Sequence, residues 1–253
     1  MHPLSVIIIC KNEAINIAEC IVAAKLISHD IIVVDSGSTD GTIEIAKKMN
    51  ILLIETEWKG YGFARNRAAD AAKNEWILAI DADERVTPSL VKSISAIHEL
   101  DNSTVYGFKR LNFFLGKKML FGKWGRDKSY RLYHKKFISW DNSPVHESLI
   151  GKDFKKQFIK GHIEHYPVRK IEENERKMYK YAQLNADNYF SKGKKATFIK
   201  RYLSPISDFI QSYLIFGGIF DGKEGFIVSY SNARYTFLKY KYLLEMNIKA
   251  ERQ

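Results

Sequence analysis

Apolar residues along the first hundred positions come in short unbroken runs, each followed by a stretch with helical spacing. Val6-Ile7-Ile8-Ile9 is the first run, and beyond it Ile15, Ala18, Ile21, Val22 and Leu26 recur on one face of a helix. The second run, Ile31-Ile32-Val33-Val34, ends at Asp35. Ser36-Gly37-Ser38-Thr39-Asp40-Gly41 then turns the chain into a helix over about 42–49. A third run over 51–54 leads to the glycine-bearing loop Lys59-Gly60-Tyr61-Gly62, a helix over 64–72 and a fourth strand over 76–80. Continuously apolar strands separated by helices of about 10–15 residues predict a parallel sheet covered on both faces. Ligands of such sheets bind beyond the carboxyl ends of the strands. That rule groups residues 10–13, 35–38 and 81–83 around one crevice.

After a helix opened by Pro88 and running to about Leu100, the texture changes. Residues 106–114 and 118–121 read as a hairpin about Gly116, and 129–134 and 154–163 as further strands of an antiparallel or mixed lobe. From Ile171 the spacing is helical, over 172–189, 206–220 and 224–246, punctuated by Gly193, Pro205 and Asp221-Gly222.

Composition adds little to this until the charge is divided by region. The 253 residues are 45% hydrophobic and 13% aromatic, enough for a packed core. Cys10 and Cys20 make no disulfide framework, and Cys10 ends an apolar run as a buried thiol, so a reducing compartment is expected. Residues 1–10 lack the basic segment and cleavage site of a secretory signal, and no stretch reaches the ~20 apolar residues of a membrane span. The expected location is therefore cytoplasmic. Residues 1–100 carry 10 Lys/Arg against 14 Asp/Glu, whereas 101–253 carry 30 against 15, so the net +11 belongs to the second part. That part is expected to face an anion: a phosphorylated acceptor, a membrane surface or nucleic acid. Nucleic acid is set aside because zinc spacing, an RNP-like aromatic motif and a recognition-helix pattern are all missing. A phosphate-loop nucleotidase would need G-x-x-x-x-G-K-[ST], which is also missing.

The densest chemistry lies in Ile80-Asp81-Ala82-Asp83-Glu84, where an apolar strand emerges into carboxylates. Two carboxylates at i and i+2 on a strand end can turn toward one hard cation, Mg²⁺ or Mn²⁺, with phosphate oxygens completing the shell. An acidic turn capping the Pro88 helix is the plainer alternative. Asp35 at the second strand end can accept a hydrogen bond from a base or ribose, and Asn12 and Glu13 share its crevice. Arg65, on the helix after the glycine loop, is placed to reach a diphosphate, while Arg67 points about 200° away and reads as surface.

The run Ser5-Val6-Ile7-Ile8-Ile9-Cys10-Lys11-Asn12-Glu13, then Val33-Val34-Asp35-Ser36-Gly37-Ser38-Thr39-Asp40-Gly41-Thr42, then Ile80-Asp81-Ala82-Asp83-Glu84, resembles the inverting family-2 glycosyltransferases of GT-A fold over about residues 4–165. Ala64-Arg65-Asn66-Arg67, Trp140 with Val145-His146-Glu147, His165 and the tail Asp221-Gly222-Lys223-Glu224-Gly225 resemble, more narrowly, the lipopolysaccharide-core β-1,4-glucosyltransferase group. The resemblance implies an α/β fold with a Rossmann-like, mainly parallel mixed sheet. The GT-A catalytic domain would span 1–168, with a nucleotide-binding part (1–100) and an acceptor part (101–168), followed by a helical extension over 169–253.

It implies a nucleotide-sugar donor, UDP-glucose first, and an inner-core or other cell-envelope glycan acceptor; a protein, teichoic or polysaccharide acceptor is the alternative. Asp35 would contact the base, Arg65 the diphosphate and Asp83 the metal, Mn²⁺ or Mg²⁺. Asp81 would meet the ribose or the metal shell, with Cys10, Asn12, Glu13, Ser36 and Ala82 lining the same cradle. His165 reads either as a late metal ligand or as a structural histidine. An inverting displacement needs a base on the acceptor hydroxyl; Glu147 is the first choice and Asp141 the second. His146 would orient Glu147 or the acceptor, and Trp140 and Trp124 would stack on sugar rings or pack in the core. In the basic second part, Ile206, Phe209, Ile210, Tyr213, Leu214 and Phe216 form an apolar stripe after Lys192, Lys194, Lys195, Lys200 and Arg201. They read as a peripheral contact with the inner face of the membrane or as a helix packed on the catalytic domain.

Overall fold

The computed structural model describes residues 2–141 and 147–251. They form two compact units, Met1–Arg110 with Lys128–His165, and Leu111–Asp127 with Tyr166–Gln253. The segment 111–127, which the sequence groups with the acceptor part, thus clusters with the C-terminal helices.

In the first unit the four apolar runs are strands β1 (Leu4–Cys10), β2 (Ile31–Asp35), β3 (Leu52–Glu55) and β4 (Trp76–Asp81). They pair in parallel in the order β3-β2-β1-β4. Alternate residues of β1 feed opposite cores. Leu4, Val6 and Ile8 pack with α1 (Ile17–Ala24) and α4 (Pro88–Ser95), while Ile7 and Ile9 pack with α3 (Tyr61–Ala71). Covering both faces is why these strands have no polar alternation. Between them, α2 (Thr42–Lys47) follows the Asp35 turn.

The sheet continues past β4 with antiparallel β8 (Lys128–His134), then β6 (Thr104–Phe114), β11 (Lys155–Val168) and β5 (Glu84–Val86). A further hairpin, β9 (Ile138–Trp140) with β10 (Leu149–Gly151), stands apart from that sheet.

Three sequence expectations are corrected. Helix α1 buries Ile17, Cys20, Ile21 and Ala24, leaving Ile15, Val22 and Leu26 in solvent. The helix begins at Ile17, so a face counted from Ile15 starts in the preceding turn. The Pro88 helix stops at Ser95 rather than near Leu100. The acidic turn that is the alternative for 81–84 does not cap the Pro88 helix: Glu84 opens a strand against Ile163-Glu164-His165, and the cap is the Thr87 side chain, which accepts from Leu90 N–H at 3.3 Å.

In the second unit, α7 (Gly222–Glu251) packs on both α5 (Ile171–Ser191) and α6 (Phe198–Ile210). Pro205, expected to precede a helix, lies inside α6, whose start is capped by the Thr197 side chain on Lys200 N–H. The Asp221-Gly222-Lys223-Glu224-Gly225 segment ties the unit together. The buried Asp221 carboxylate accepts from the Leu120 and Phe121 N–H groups at 3.1 and 2.9 Å, and its carbonyl accepts from Lys117 Nζ at 2.7 Å. These bonds fasten the segment after β7 (Lys117–Lys118) to the start of α7.

Candidate active site

Parallel register aligns the strand ends that carry the chemistry: Cys10 lies opposite Asp35, and Ile9 opposite Asp81. The first two loops are laced to each other. Asn12 adopts φ 57°, and from there its N–H donates to Ser38 Oγ at 2.7 Å while its Oδ1 accepts from Thr39 N–H at 2.8 Å. Glu13 N–H donates to Thr42 Oγ1 at 2.8 Å, and Ala14 N–H to Asp40 at 3.1 Å. Asp35 is fully buried. Its Oδ1 accepts from the Gly37 and Ser38 N–H groups at 2.9 and 2.8 Å, and its Oδ2 from Ser38 Oγ and Cys10 Sγ. Burial, reinforced by the Asp35 charge, pushes the Cys10 thiol far up, so it stays protonated.

At the end of β4, Asp81 is held by two arginines from different elements. Its Oδ1 accepts from Arg65 Nη2 (α3) at 2.6 Å and its Oδ2 from Arg131 Nη2 (β8) at 2.9 Å. Burial alone would raise the Asp81 carboxyl; the Arg131 and Arg65 charges outweigh it and hold the group well below the usual carboxylate range. Arg65 also binds Glu147 through Nη1, so one guanidinium bridges two carboxylates. Both arginines sit over the Trp140 ring, 4.5 and 5.8 Å from its centroid. Glu84, fully buried, completes the cluster: its Oε2 accepts from Asp81 N–H at 2.9 Å and its Oε1 from Arg110 at 3.2 Å. Arg65 Nε and Arg131 Nη1 are buried and have no hydrogen-bond partner among the described residues. Asp83 lies beside His165, with Oδ2 3.5 Å from Nε2, because the β11–β5 register sets His165 opposite Glu84.

The sequence model of glycosyl transferase family 2 matches residues 5–158. The chain belongs to that family. An uncharacterized glycosyltransferase of Rickettsia typhi is 33% identical over 99% of this chain and 89% of its own length. The lipopolysaccharide core biosynthesis glycosyltransferase LpsC of Rhizobium meliloti is 28% identical over 93% and 90%. Among solved structures, S. aureus TarS is similar with a TM-score of 0.46 at 18% identity, covering 73% of this chain and 39% of that one. This is a family 2 glycosyltransferase of GT-A-like fold, an enzyme that takes its sugar from a nucleotide-sugar.

Within the transferase, the structure brings Arg65, Asp81 and Glu147 into one ion-paired cluster and sets Asp83 against His165. Ser36 and Ala82 lie buried at the strand ends, their N–H groups on the carbonyls of Cys10 and Ile9. Arg67 is exposed, as its position on the helix predicts. Asp141, the second choice for the base, closes the β9–β10 hairpin: its carboxylate accepts from Ser148 N–H at 3.2 Å. Trp140 is 6% exposed, with its Nε1 on Tyr133 and its backbone on Asn66, so it belongs to the core instead of an open sugar platform. Trp124 lies in the second unit, partly buried against Phe114. His146 lies outside the described residues. Gly62 has a local reason: a Cβ there would lie 1.8 Å from the Asp141 carbonyl oxygen, so only glycine lets α3 approach the end of β9.

Sequence reasoning missed Arg131, Arg110 and the role of Glu84. The available signal was an arginine inside a strand whose next two residues, Leu132 and Tyr133, are core; such a charge requires a buried partner.

Proposed function

We propose that this enzyme moves a sugar, glucose first, from a UDP-sugar to a hydroxyl of a lipopolysaccharide-core or other cell-envelope glycan, with inversion and with Mn²⁺ or Mg²⁺. The observation that carries the reading is the convergence of Arg65 and Arg131 on Asp81, two residues from the Asp83–His165 pair. Two guanidiniums with spare buried N–H groups suit a diphosphate, whose oxygens accept bidentate hydrogen bonds. A carboxylate and an imidazole side by side suit a divalent cation that takes its remaining ligands from phosphate and water. Among the described residues no group of three His, Cys, Asp or Glu is assembled to hold an ion. Asp83 and His165 would hold the cation. Bound there, the metal would neutralise charge building on the departing nucleoside diphosphate.

The chain's own residues do the rest. Arg65 and Arg131 bind and orient the diphosphate. The loops around Asp35 form the wall for the base and ribose. Glu147 takes the proton of the acceptor hydroxyl. Since Arg65 holds both Glu147 and Asp81, the diphosphate competes with Glu147 for that guanidinium, and donor binding frees the base. The lipopolysaccharide-core assignment is supported by the likeness to LpsC and by the basic second part of the chain.

A panel of nucleotide-sugars scored by thermal shift, with and without Mn²⁺, tests the reading. A UDP-hexose is expected to raise the melting temperature only with metal present. A metal-independent shift, or a shift confined to another nucleotide, would reject the donor assignment.

A further inference from the structure

Helix α6 has its apolar residues on the outside. Phe198, Ile199, Tyr202, Leu203, Ile206 and Ile210 recur at helical spacing as one stripe, and each is 42–69% exposed. The opposite side meets α7: Arg201 lies over the Phe237 ring, and Asp208 accepts from Thr236 Oγ1. No residue of α6 is buried. The stripe runs on through a π turn, Gln211–Ile215, to Phe220, which is 76% exposed. Ring contacts join it to its surroundings: Phe209 and Tyr213 meet Phe226, Phe226 stacks on Tyr230, and Phe121 meets Phe220. A continuous apolar surface of this kind marks a face that something covers.

The charge around it says what. Residues 192–220 hold five Lys/Arg and one acid, Asp208, which is paired with Lys123. Lys192, Lys194 and Lys195 are exposed immediately before the stripe, and Lys200 lies at its edge. A second copy would set this basic segment against itself, with like charges opposed. An anionic lipid leaflet matches it, offering acyl chains to the stripe and phosphates to the lysines that rim it. Among the described residues no helix is long and apolar enough to cross a membrane, so the contact is in the plane of the surface.

We propose that α6 and the turns after it form a docking surface for an anionic phospholipid leaflet, lying along the interface with the apolar stripe inward. The inference stands independently of the donor and acceptor assignments. Flotation of the full chain with phosphatidylethanolamine vesicles, with and without phosphatidylglycerol, tests it. The protein is expected to float with the phosphatidylglycerol vesicles and to be released by salt. Ile199→Ser with Leu203→Ser is expected to lower the partition coefficient at least about tenfold, while leaving the melting temperature unchanged because both side chains are exposed. Lys194→Glu with Lys195→Glu is expected to remove the preference for the anionic lipid. Failure to float, or flotation unaffected by either variant, would overturn the proposal. So would a concentration-dependent dimer in solution that the serine variant dissolves, because the occupant would then be a second copy.

Discussion

At the scale of single residues, the site is built on buried charge that only its own partners satisfy. Asp81 and Glu84 share the cations Arg65, Arg110 and Arg131, and removing one cation leaves the buried carboxylates short of positive charge. Arg131→Met is expected to cost about 3 kcal/mol in denaturant unfolding, and Asp81→Asn in the same chain to recover part of it, as a double-mutant cycle measures. Strict additivity would mean that the two side chains do not interact. Glu147→Gln is a second test. Donor affinity is expected to hold or rise, since Glu147 no longer competes with the diphosphate for Arg65, while transfer falls about 10²-fold or more, as for loss of a general base; near-normal turnover would remove Glu147 from that role. His165 lies inside β11 rather than after a strand, but Asp81 and Asp83 were legible as candidates because they end and follow an apolar run. Arg131 was not, because its partner lies 50 positions earlier and meets it only when β8 pairs with β4. Trp140 reads from the sequence either as a sugar platform or as core, because tryptophan serves both. Its indole forms the floor under two arginines.

At the scale of elements, unbroken apolar runs and turn glycines made four parallel strands legible, since a strand buried on both faces leaves no other pattern. The short pieces were not legible. Strands β5, β9 and β10 have three residues each, too few for a period, and are held by partners distant in sequence or by a hairpin closure. Pro205 misled because a proline usually interrupts a helix, whereas here packing on α7 carries α6 through it. Asp221 and Gly225 give this scale its prediction. A Cβ at Gly225 would lie 1.9 Å from the Gly218 carbonyl oxygen, so Gly225→Ala is expected to destabilise the second unit by about 1–3 kcal/mol. Asp221→Ala strands the Leu120 and Phe121 N–H groups and is expected to cost a similar amount, about 1–3 kcal/mol for each group left unpaired. Limited proteolysis is expected to cut within 111–127 first in both variants; unchanged cleavage and stability would show that the segment is held by other contacts.

At the scale of the whole molecule, the uneven charge visible in the sequence has a structural counterpart. The acidic first part carries the strand-end carboxylates, and the basic second part carries the lysines that rim the exposed stripe of α6. The outward direction of that stripe was not legible, because periodicity gives the width of an apolar face without saying whether protein or solvent meets it. The central claim concerns the first unit: the end of β4 binds a nucleotide-sugar through Asp83, His165 and a metal ion. Calorimetric titration of UDP-glucose into the full chain tests this most directly, performed with Mn²⁺, with chelator, and on Asp83→Asn. The account predicts metal-dependent binding that weakens by at least about tenfold on chelation, and a variant whose residual affinity no longer responds to metal. Equal binding with and without metal, or an Asp83→Asn protein that retains the full metal response, would contradict it.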